Sequence, residues 1–383
     1  MPAASSWLLF ILIAALAPFA AQAQEFDTKA KFALLMDYES GSLLFHKEAD
    51  SPMEPASMAK LMTLAVVFDE IAKGKLRWTD EFFISENAWR SGGAASGGST
   101  MFAELNSKVS VENLVRSVII QSGNDAAIAL AEGIAGSEAT FARLENQLAK
   151  QIGLTGSNFV NSTGLPDPLQ FVTARDLAML ARYLIMTYPN YYPMFSEPEM
   201  EWNGIKQANR NSLVEMGIGV DGLKTGHTEA AGYGTVVSSG AGERRIIAVL
   251  HGLGSMNERS EEARKLITYG LRSFEVITAF AAGQTVGYAD VYGGAIPAVP
   301  LIGKGSIGIF IPRGADDCPQ ASIVYQGPLR PPVQEGDKVA DLEVMCDGTV
   351  VQVTPLYAAE TVEKGDIFRQ SLDALKHLAI GWL

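Results

Sequence analysis

The chain has 383 residues, long enough for two domains and a sizeable core. Its formal net charge of −13 speaks against a nucleic-acid partner and against electrostatic attraction to anionic lipid, since both need clustered cations. Four scattered histidines (His46, His227, His251, His377), no His-Glu-x-x-His and only two cysteines point away from a metal site, and no motif asks for a cofactor.

The elements follow in chain order. Residues 7–20 are an apolar run, and Ala21-Gln22-Ala23 is a small-x-small cleavage site before Gln24, so residues 1–23 read as a signal peptide and the protein as exported. An uncleaved anchor is the weaker reading, because the run is short for a membrane span. Residues 30–47 read as two strands joined by a tight turn. Pro55-Ala56-Ser57 opens a helix that carries Leu61, Met62, Leu64, Ala65, Val67 and Phe68, apolar on most sides and therefore buried. Residues 91–102 are a Gly/Ser-rich loop. A helix over residues 111–120 ends at a Ser-Gly-Asn turn, and another begins at Asp125. Thr173 is the expected N-cap of an apolar helix through Leu177, Leu180 and Leu184.

Lys224-Thr225-Gly226 looks like an edge strand, followed by β-rich runs at residues 232–239 and 244–250, a sheet returning after a helical insertion. A helix is expected over residues 260–274. Residues 275–362 then show short alternating runs, Ile307-Gly308-Ile309-Phe310-Ile311 among them, separated by turn signals such as Glu335-Gly336-Asp337: a small all-β module. Two cysteines in an exported chain permit a Cys318–Cys346 disulfide within it, although sequence does not show their Cα separation.

In residues 366–383, Phe368, Leu372, Leu375, Ala379 and Trp382 fall on one helical face. Such a helix would be about 27 Å long. Spanning a bilayer would place Asp373 and Lys376 near its centre at about 2.5–3.5 kcal/mol each, so an amphipathic helix lying in the membrane interface is the expectation. A terminal helix packed on its own domain is the alternative.

Chemistry is concentrated in three motifs. Ser57 and Lys60, one helical turn apart, share a face, so the lysine amine can take the proton of the serine hydroxyl. Alone, Ser-x-x-Lys is weak; followed in order by Ser122-Gly123-Asn124 and Lys224-Thr225-Gly226 it is specific. Ser57 is the candidate nucleophile at a helix N-terminus, where backbone N–H groups favour developing negative charge. Lys60 is the candidate base. It can act only when neutral, which requires its pKa to fall by about three units; burial and a second cation, for which Lys224 is the candidate, would supply the shift.

Ser122 could relay a proton to the leaving amine or hold Lys60, and Asn124 could bind a substrate amide. Ser85-Glu86-Asn87 and Ser255-Met256-Asn257 repeat the middle pattern, but Ser85 falls in an expected strand. Gly226 leaves room for close backbone approach, and Lys224 and Thr225 can bind a carboxylate. The backbone N–H groups of Ser57 and His227 would form the oxyanion hole, with His227 equally compatible with a structural role. Arg210, in Asn209-Arg210-Asn211, is a further cation, or a solvated surface arginine.

The chain resembles the low-molecular-mass penicillin-binding proteins that act as D-alanyl-D-alanine carboxypeptidases, peptidase family S11. The likeness rests on residues 55–63, 121–126 and 221–228, on Thr173-Ala174-Arg175-Asp176 and on Asn209-Arg210-Asn211, and the central Ser-Gly-Asn points to that branch. The resemblance implies an α/β penicilloyl-transferase (β-lactamase-like) domain of antiparallel sheet plus helical cluster, followed by a small all-β domain and a C-terminal amphipathic anchor helix. The expected division is 1–23, 24–274, 275–362 and 363–383.

It also implies that Ser57 is acylated by the penultimate D-Ala of a peptidoglycan stem pentapeptide and by β-lactam antibiotics, with Arg210 helping to bind the terminal carboxylate. The site would lie at the periplasmic face of the inner membrane, peripherally anchored. A class A-like β-lactamase would need a glutamate-driven water, and residues 161–176 contain no glutamate. A DD-endopeptidase shares the chemistry, and a non-catalytic penicillin-binding, wall-organising protein would keep the motifs without turnover.

Overall fold

In β1 (Phe32–Asp37), Leu34 and Met36 point to one side and Ala33 and Leu35 to the other, yet every residue of the strand is buried. A strand apolar on both faces needs a packed layer on each, and the chain supplies them. The computed structural model describes residues 26–240, 244–367 and 369–370; the expected signal peptide and nearly all of the expected terminal helix lie outside the described residues. Among the described residues no helix is long and apolar enough to cross a membrane.

β2 (Leu43–Lys47) returns from β1. A 3-10 turn over Ala56–Ala59 then leads directly into α1 (Lys60–Ala72), whose first nine residues are all buried. A small hairpin-like pair, β3 (Glu81–Phe83) and β4 (Lys108–Ser110), precedes α2 (Val111–Ile120), α3 (Asn124–Ala135) and α4 (Glu138–Gln151). α5 (Ala174–Thr187) is capped by Thr173, whose hydroxyl accepts from Asp176 N at 3.0 Å, as expected for an N-cap. The pair β5 (Glu199–Trp202) and β6 (Ile205–Ala208) precedes β7 (Val220–Thr228), β8 (Gly232–Ser239), β9 (Ile246–Leu253) and α6 (Met256–Arg272).

The catalytic-half sheet has the order β2-β1-β9-β8-β7 and is antiparallel throughout, with β7 at its edge. The helical cluster α1–α5 packs on one face around Leu34, Met36, Val236, Ile247 and Val249. On the other face α6 packs through Ala263, Leu266 and Ile267 onto Ala33, Leu35, Ile246, Ala248 and Leu250. The near-continuous apolar runs are those of a sheet covered on both sides.

The second module comprises β10 (Phe274–Phe280), β11 (Gly287–Asp290), β12 (Ala298–Ile302), β13 (Ile307–Pro312), β14 (Gln320–Val324), β15 (Lys338–Cys346) and β16 (Thr349–Ala358), around its own apolar core. Cys318 and Cys346 are disulfide-bonded, with Cα atoms 4.5 Å apart. Two expectations shift. α6 starts at Met256 because Ser255 caps it, and Phe274, expected to end that helix, opens β10 because its ring is buried against Phe310 and Tyr269.

The two modules share a sheet: β16 pairs with β2 at Val353 and Leu43. Around this seam lies a buried polar chain. Ser40 is buried, its hydroxyl donating to Asp37 Oδ2 (2.7 Å) and lying 2.6 Å from Ser42 Oγ; Ser42 Oγ lies 2.6 Å from Thr354 Oγ1. Gln352 Oε1 accepts from Phe310 N at 2.9 Å, while its Nε2 donates to Thr354 Oγ1 at 2.8 Å and Gly308 O at 2.9 Å. Replacing Gln352 by Leu removes the partner of the Phe310 N–H and of the Gly308 carbonyl, each worth about 1–3 kcal/mol when left unpaired, while Thr354 Oγ1 keeps Ser42. Gln352→Leu should therefore lower the urea midpoint by the equivalent of about 2–4 kcal/mol while leaving acylation by the folded protein unchanged.

Candidate active site

Three elements converge on Ser57. The 3-10 turn and α1 carry Ser57 and Lys60, the α2–α3 turn carries Ser122, the first residue of α3 is Asn124, and edge strand β7 carries Lys224, Thr225, Gly226 and His227. The convergence is tight. A Cβ on Gly226 would lie 3.1 Å from Ala56 Cβ and 3.2 Å from Met58 N, so β7 runs against the residues flanking the nucleophile. On the opposite side, Gly164 has φ +76°, and a Cβ there would meet the Ala56 carbonyl oxygen at 2.0 Å. Gly234, on β8, leaves space for Met58 and for the ring of His251.

Lys60 is fully buried, and its Nζ lies 3.1 Å from Ser57 Oγ, 2.6 Å from Asn124 Oδ1 and 2.5 Å from Thr163 O. Burial lowers its pKa to about 7, helped by the Arg210 guanidinium and opposed by Asp125 and Glu138. A neutral amine has two hydrogens and one lone pair. Two oxygens that can only accept and one hydroxyl that can donate match that inventory, with the lone pair aimed at the Ser57 hydroxyl.

Ser122 is buried and left-handed at φ +66°, and its Oγ has no hydrogen-bond partner among the described residues. A left-handed residue closes the end of α2, a place glycine usually fills; here it carries a hydroxyl instead. Ser122 is not among the hydrogen-bond partners of Lys60. Asn124 takes that role through Oδ1, which leaves its Nδ2 for other work.

Lys224 is also buried and donates to the neighbouring Thr225 O at 3.1 Å. Burial, with Lys60, Arg210 and Arg259 as like charges, drives its pKa well below the usual lysine value. Burial works against the charge expected on Lys224, the two buried lysines repel each other when both are protonated, and the Arg210 guanidinium is a further cation that lowers the pKa of Lys60. The Arg210 backbone is held on both sides, its N–H donating to Ile120 O (3.0 Å) and its carbonyl accepting from Arg259 Nη2 (3.3 Å). His227 is exposed and stacks on Tyr233 with ring centroids 3.9 Å apart.

Several residues to which the sequence analysis gave no role of their own hold this arrangement. Asn161 Oδ1 accepts from Thr163 N, Thr163 Oγ1 and Gly164 N, folding the segment that presents Thr163 O to Lys60; Asn-Ser-Thr-Gly is a recognisable Asx-turn signal. Asp125, fully buried, accepts from Met101 N, Ala103 N and Thr100 Oγ1 and pins the loop beside the site. Asp221 is doubly bonded by Arg245 (2.8 and 2.6 Å) and by Tyr192 OH (2.6 Å), and Asn211 Nδ2 donates to Gly222 O (3.1 Å), which together fix the start of β7. His251 Nε2 lies 2.8 Å from Glu54 O, and burial lowers its pKa to about 4, so a neutral ring steadies the chain entering the nucleophile turn.

The other two Ser-x-Asn sites are helix caps. Ser255 caps α6, and Ser85, expected in a strand, lies past β3 and accepts from Ala88 N at 3.0 Å. A groove of about 1640 Å³ lies between β2, α6 and the second module and is lined by none of the motif residues. Among the described residues no cluster of His, Cys, Asp and Glu could hold a metal ion.

A buried lysine within reach of a serine, a second buried lysine on an edge strand and an unpartnered serine between two helices are the groups that serine acyl transfer needs. Residues 18–254 match the family model described as D-alanyl-D-alanine carboxypeptidase, Peptidase S11. Residues 274–364 match that of the penicillin-binding protein 5 C-terminal domain. The chain is 39% identical over 348 residues to the D-alanyl-D-alanine carboxypeptidase DacC of Escherichia coli K12, covering 90% of this chain and 87% of that one. It is 36% identical over 349 residues to DacA of Haemophilus influenzae, covering 90% and 88%.

Among solved structures, penicillin-binding protein 5 of Haemophilus influenzae superposes with a TM-score of 0.69 at 35% identity, covering 88% of this chain and 98% of that one. Penicillin-binding protein D2 of Listeria monocytogenes, solved with ampicillin bound, matches 64% of this chain and 99% of its own at 28% identity and a TM-score of 0.56. The chain belongs to the peptidase S11 family of D-alanyl-D-alanine carboxypeptidases. Its fold is that of a penicillin-binding protein, an α/β catalytic half followed by the all-β C-terminal domain.

The approach of Gly164 to Ala56 gives a direct test of how closely the site is built. Gly164→Ala puts a methyl into the Ala56 carbonyl and a side chain at positive φ, a combination that costs about 1–3 kcal/mol. The variant should unfold at lower temperature and acylate at least about tenfold more slowly, read by thermal melting and by penicillin labelling.

Proposed function

We propose that this carboxypeptidase, acting on peptidoglycan, works through an acyl-enzyme on Ser57, with neutral Lys60 as the base. The observation that carries the reading is Lys60 Nζ, 3.1 Å from Ser57 Oγ in a buried setting that holds its pKa near 7. Lys60 takes the hydroxyl proton as Ser57 Oγ attacks the carbonyl carbon of the penultimate D-Ala of a stem pentapeptide. The carbonyl oxygen becomes an oxyanion held by the N–H groups of Ser57 and His227. Such donors are each worth about 10²–10³ in rate.

As the peptide C–N bond breaks, the proton on Lys60 passes through the unpartnered Ser122 hydroxyl to the leaving amine, releasing D-Ala. Water, deprotonated by Lys60 in turn, then hydrolyses the ester and returns free Ser57. Asn124 Nδ2 is left to meet a substrate amide, because its Oδ1 is occupied by Lys60. Lys224, Thr225 and Arg210 receive the terminal carboxylate, and that negative charge restores the proton burial disfavours on Lys224. Gly226 admits the substrate backbone against β7. β-Lactams would acylate Ser57 in the same way; binding of ampicillin and cefotaxime by the Listeria relative supports this.

The domain division at 1–23, 24–274, 275–362 and 363–383, export to the periplasm, and peripheral attachment to the inner membrane by the last helix belong to the same reading.

Free D-alanine released from a D-Ala-D-Ala-terminated pentapeptide should vanish in Ser57→Ala, and Lys60→Ala should lose more than about 10²-fold in acylation with its melting temperature largely kept. Because protonated Lys60 cannot accept a proton, wild-type acylation should be weak below pH 7 and rise through about pH 7 as the amine becomes neutral. Release from cross-linked dimers but not from the pentapeptide would instead favour an endopeptidase, and labelling without release a non-catalytic binder. Deleting residues 366–383 should free the protein from membranes without changing turnover. Sedimentation of the truncated form with membranes would refute the anchor.

A further inference from the structure

Behind Lys60, on the side away from Ser57, lies a second polar chain that the acylation steps do not use. Thr63, one turn further along α1, is fully buried, and so is Glu145 on α4. Thr63 Oγ1 lies 2.7 Å from Ser162 O and 2.9 Å from Glu145 Oε1. Glu145 Oε2 has no partner among the described residues. The residue after Ser162 is Thr163, whose carbonyl accepts from Lys60 Nζ at 2.5 Å. Ser162 is gripped from its other side as well, its N–H and hydroxyl donating to Glu138 Oε1 at 3.3 and 2.8 Å.

A hydroxyl has one hydrogen and a peptide carbonyl has none. The hydrogen of Thr63 therefore goes to Ser162 O, since an unprotonated 2.7 Å contact between a hydroxyl and a carbonyl would set lone pair against lone pair. The 2.9 Å contact with Glu145 Oε1 then needs its hydrogen from the carboxyl. We propose that Glu145 is a positioning residue held as a neutral carboxylic acid, whose O–H donates to Thr63 Oγ1 while the Thr63 hydroxyl donates to the Ser162 carbonyl, and that this chain fixes the Thr163 carbonyl against Lys60. This assignment rests on the reading of Lys60 as the base.

The energetics agree. Burial, the largest cause, pushes the Glu145 carboxyl well above the ordinary range, with Glu138 adding to it and the Thr63 contact opposing it. An isolated carboxylate there would be unpaired in low dielectric, and it would add a third negative charge to Asp125 and Glu138, the two groups that already favour the charged form of Lys60. Keeping Glu145 neutral holds the Thr163 carbonyl in place and leaves the low pKa of Lys60 intact. The other charged groups facing this cluster are Arg210, acting on Lys60, and Lys224, itself coupled to Lys60.

Two measurements on the full chain test this. Infrared difference spectra at pH 7 between wild type and Glu145→Gln should show the carbonyl stretch of a protonated carboxyl in the wild type alone; its absence overturns the proposal. The second is the pH profile of Ser57 labelling by a fluorescent penicillin. Glutamine can still donate to Thr63, so Glu145→Gln should rescue labelling to within about twofold with its limb near pH 7. Glu145→Ala and the near-isosteric Thr63→Val cut the relay and let water reach Lys60.

Since burial is the largest cause of the lowered Lys60 pKa, solvation should move the limb upward by about one unit, which is about a tenfold loss of labelling below the limb. Thr63→Val carries the test if Glu145→Ala does not fold. A limb unmoved in the cut variants, or Glu145→Gln behaving like them, overturns the proposal. A wild type unlabelled at Ser57, or an active Lys60→Ala, would instead overturn the reading of the base.

Discussion

The cost of burying an ammonium group governs this site. An amine in water is protonated at neutral pH and useless as a base; a fully buried one becomes available as a base when its neutral form is the better solvated of the two. Lys60 reaches that condition at the first position of α1, under Asn124 and Thr163 and within reach of the Arg210 charge. Asp125 and Glu138 pull the other way. The balance leaves the amine near half-neutral at physiological pH, which is where a base both exists in its active form and retains affinity for a proton. Lys224, buried a strand away, is pushed in the same direction for the same reason, and an arriving carboxylate is the natural means of recharging it.

Holding a lysine in that balance demands rigid neighbours, since a shift of an ångström would admit water. Rigidity comes from close backbone contacts rather than from long side chains. Gly226 and Gly164 bring two separate segments against Ala56, one from each side, and Gly234 makes room for the His251 ring that anchors Glu54. Ala56 and Ser122 both take positive φ values, 47° and 66°, so the two serines of the site, Ser57 and Ser122, stand at or beside left-handed residues. Strain of this kind persists only where the surroundings over-determine it, and here β7, α3 and the Asn161 turn do so.

The three motifs that the fold brings together were legible in the sequence because the proposed chemistry dictates their type and their spacing. A serine and a lysine one turn apart, a serine–asparagine turn and an edge strand with lysine and glycine leave little freedom. Helices were legible through their caps, Thr173 above all. The supports were not legible, because they act through backbone atoms and tertiary contacts that have no local pattern. Thr163 matters through its carbonyl, which every residue possesses. Asp125 looks like an ordinary first-turn acid, and Glu145 looks like a surface glutamate on a helix of low hydrophobicity until the fold buries it. Phe274 was misplaced for a related reason: whether an aromatic ends a helix or starts a strand depends on the pocket waiting for it. The same limit applies to charge: the sequence offers Lys224 as the second cation, and only the fold brings Arg210 to bear on Lys60 as well.

The seam between the two modules follows the same logic as the active site. Burying Ser40, Ser42, Gln352 and Thr354 at the join of β2 and β16 would be costly unless each found partners, and each does. Polar groups that are satisfied only in one docking geometry penalise every other geometry, because any displacement leaves them unpaired. Arg182 on α5 extends the constraint, donating to Tyr38 O and Glu39 O in the same β1–β2 turn. The turn thus belongs at once to the catalytic sheet, to the helical cluster and to the second module. An enzyme of this build presents its cleft at a fixed attitude to whatever its C-terminal module touches, because the strand beside the junction, β1, is an interior strand of the catalytic sheet, paired on both sides.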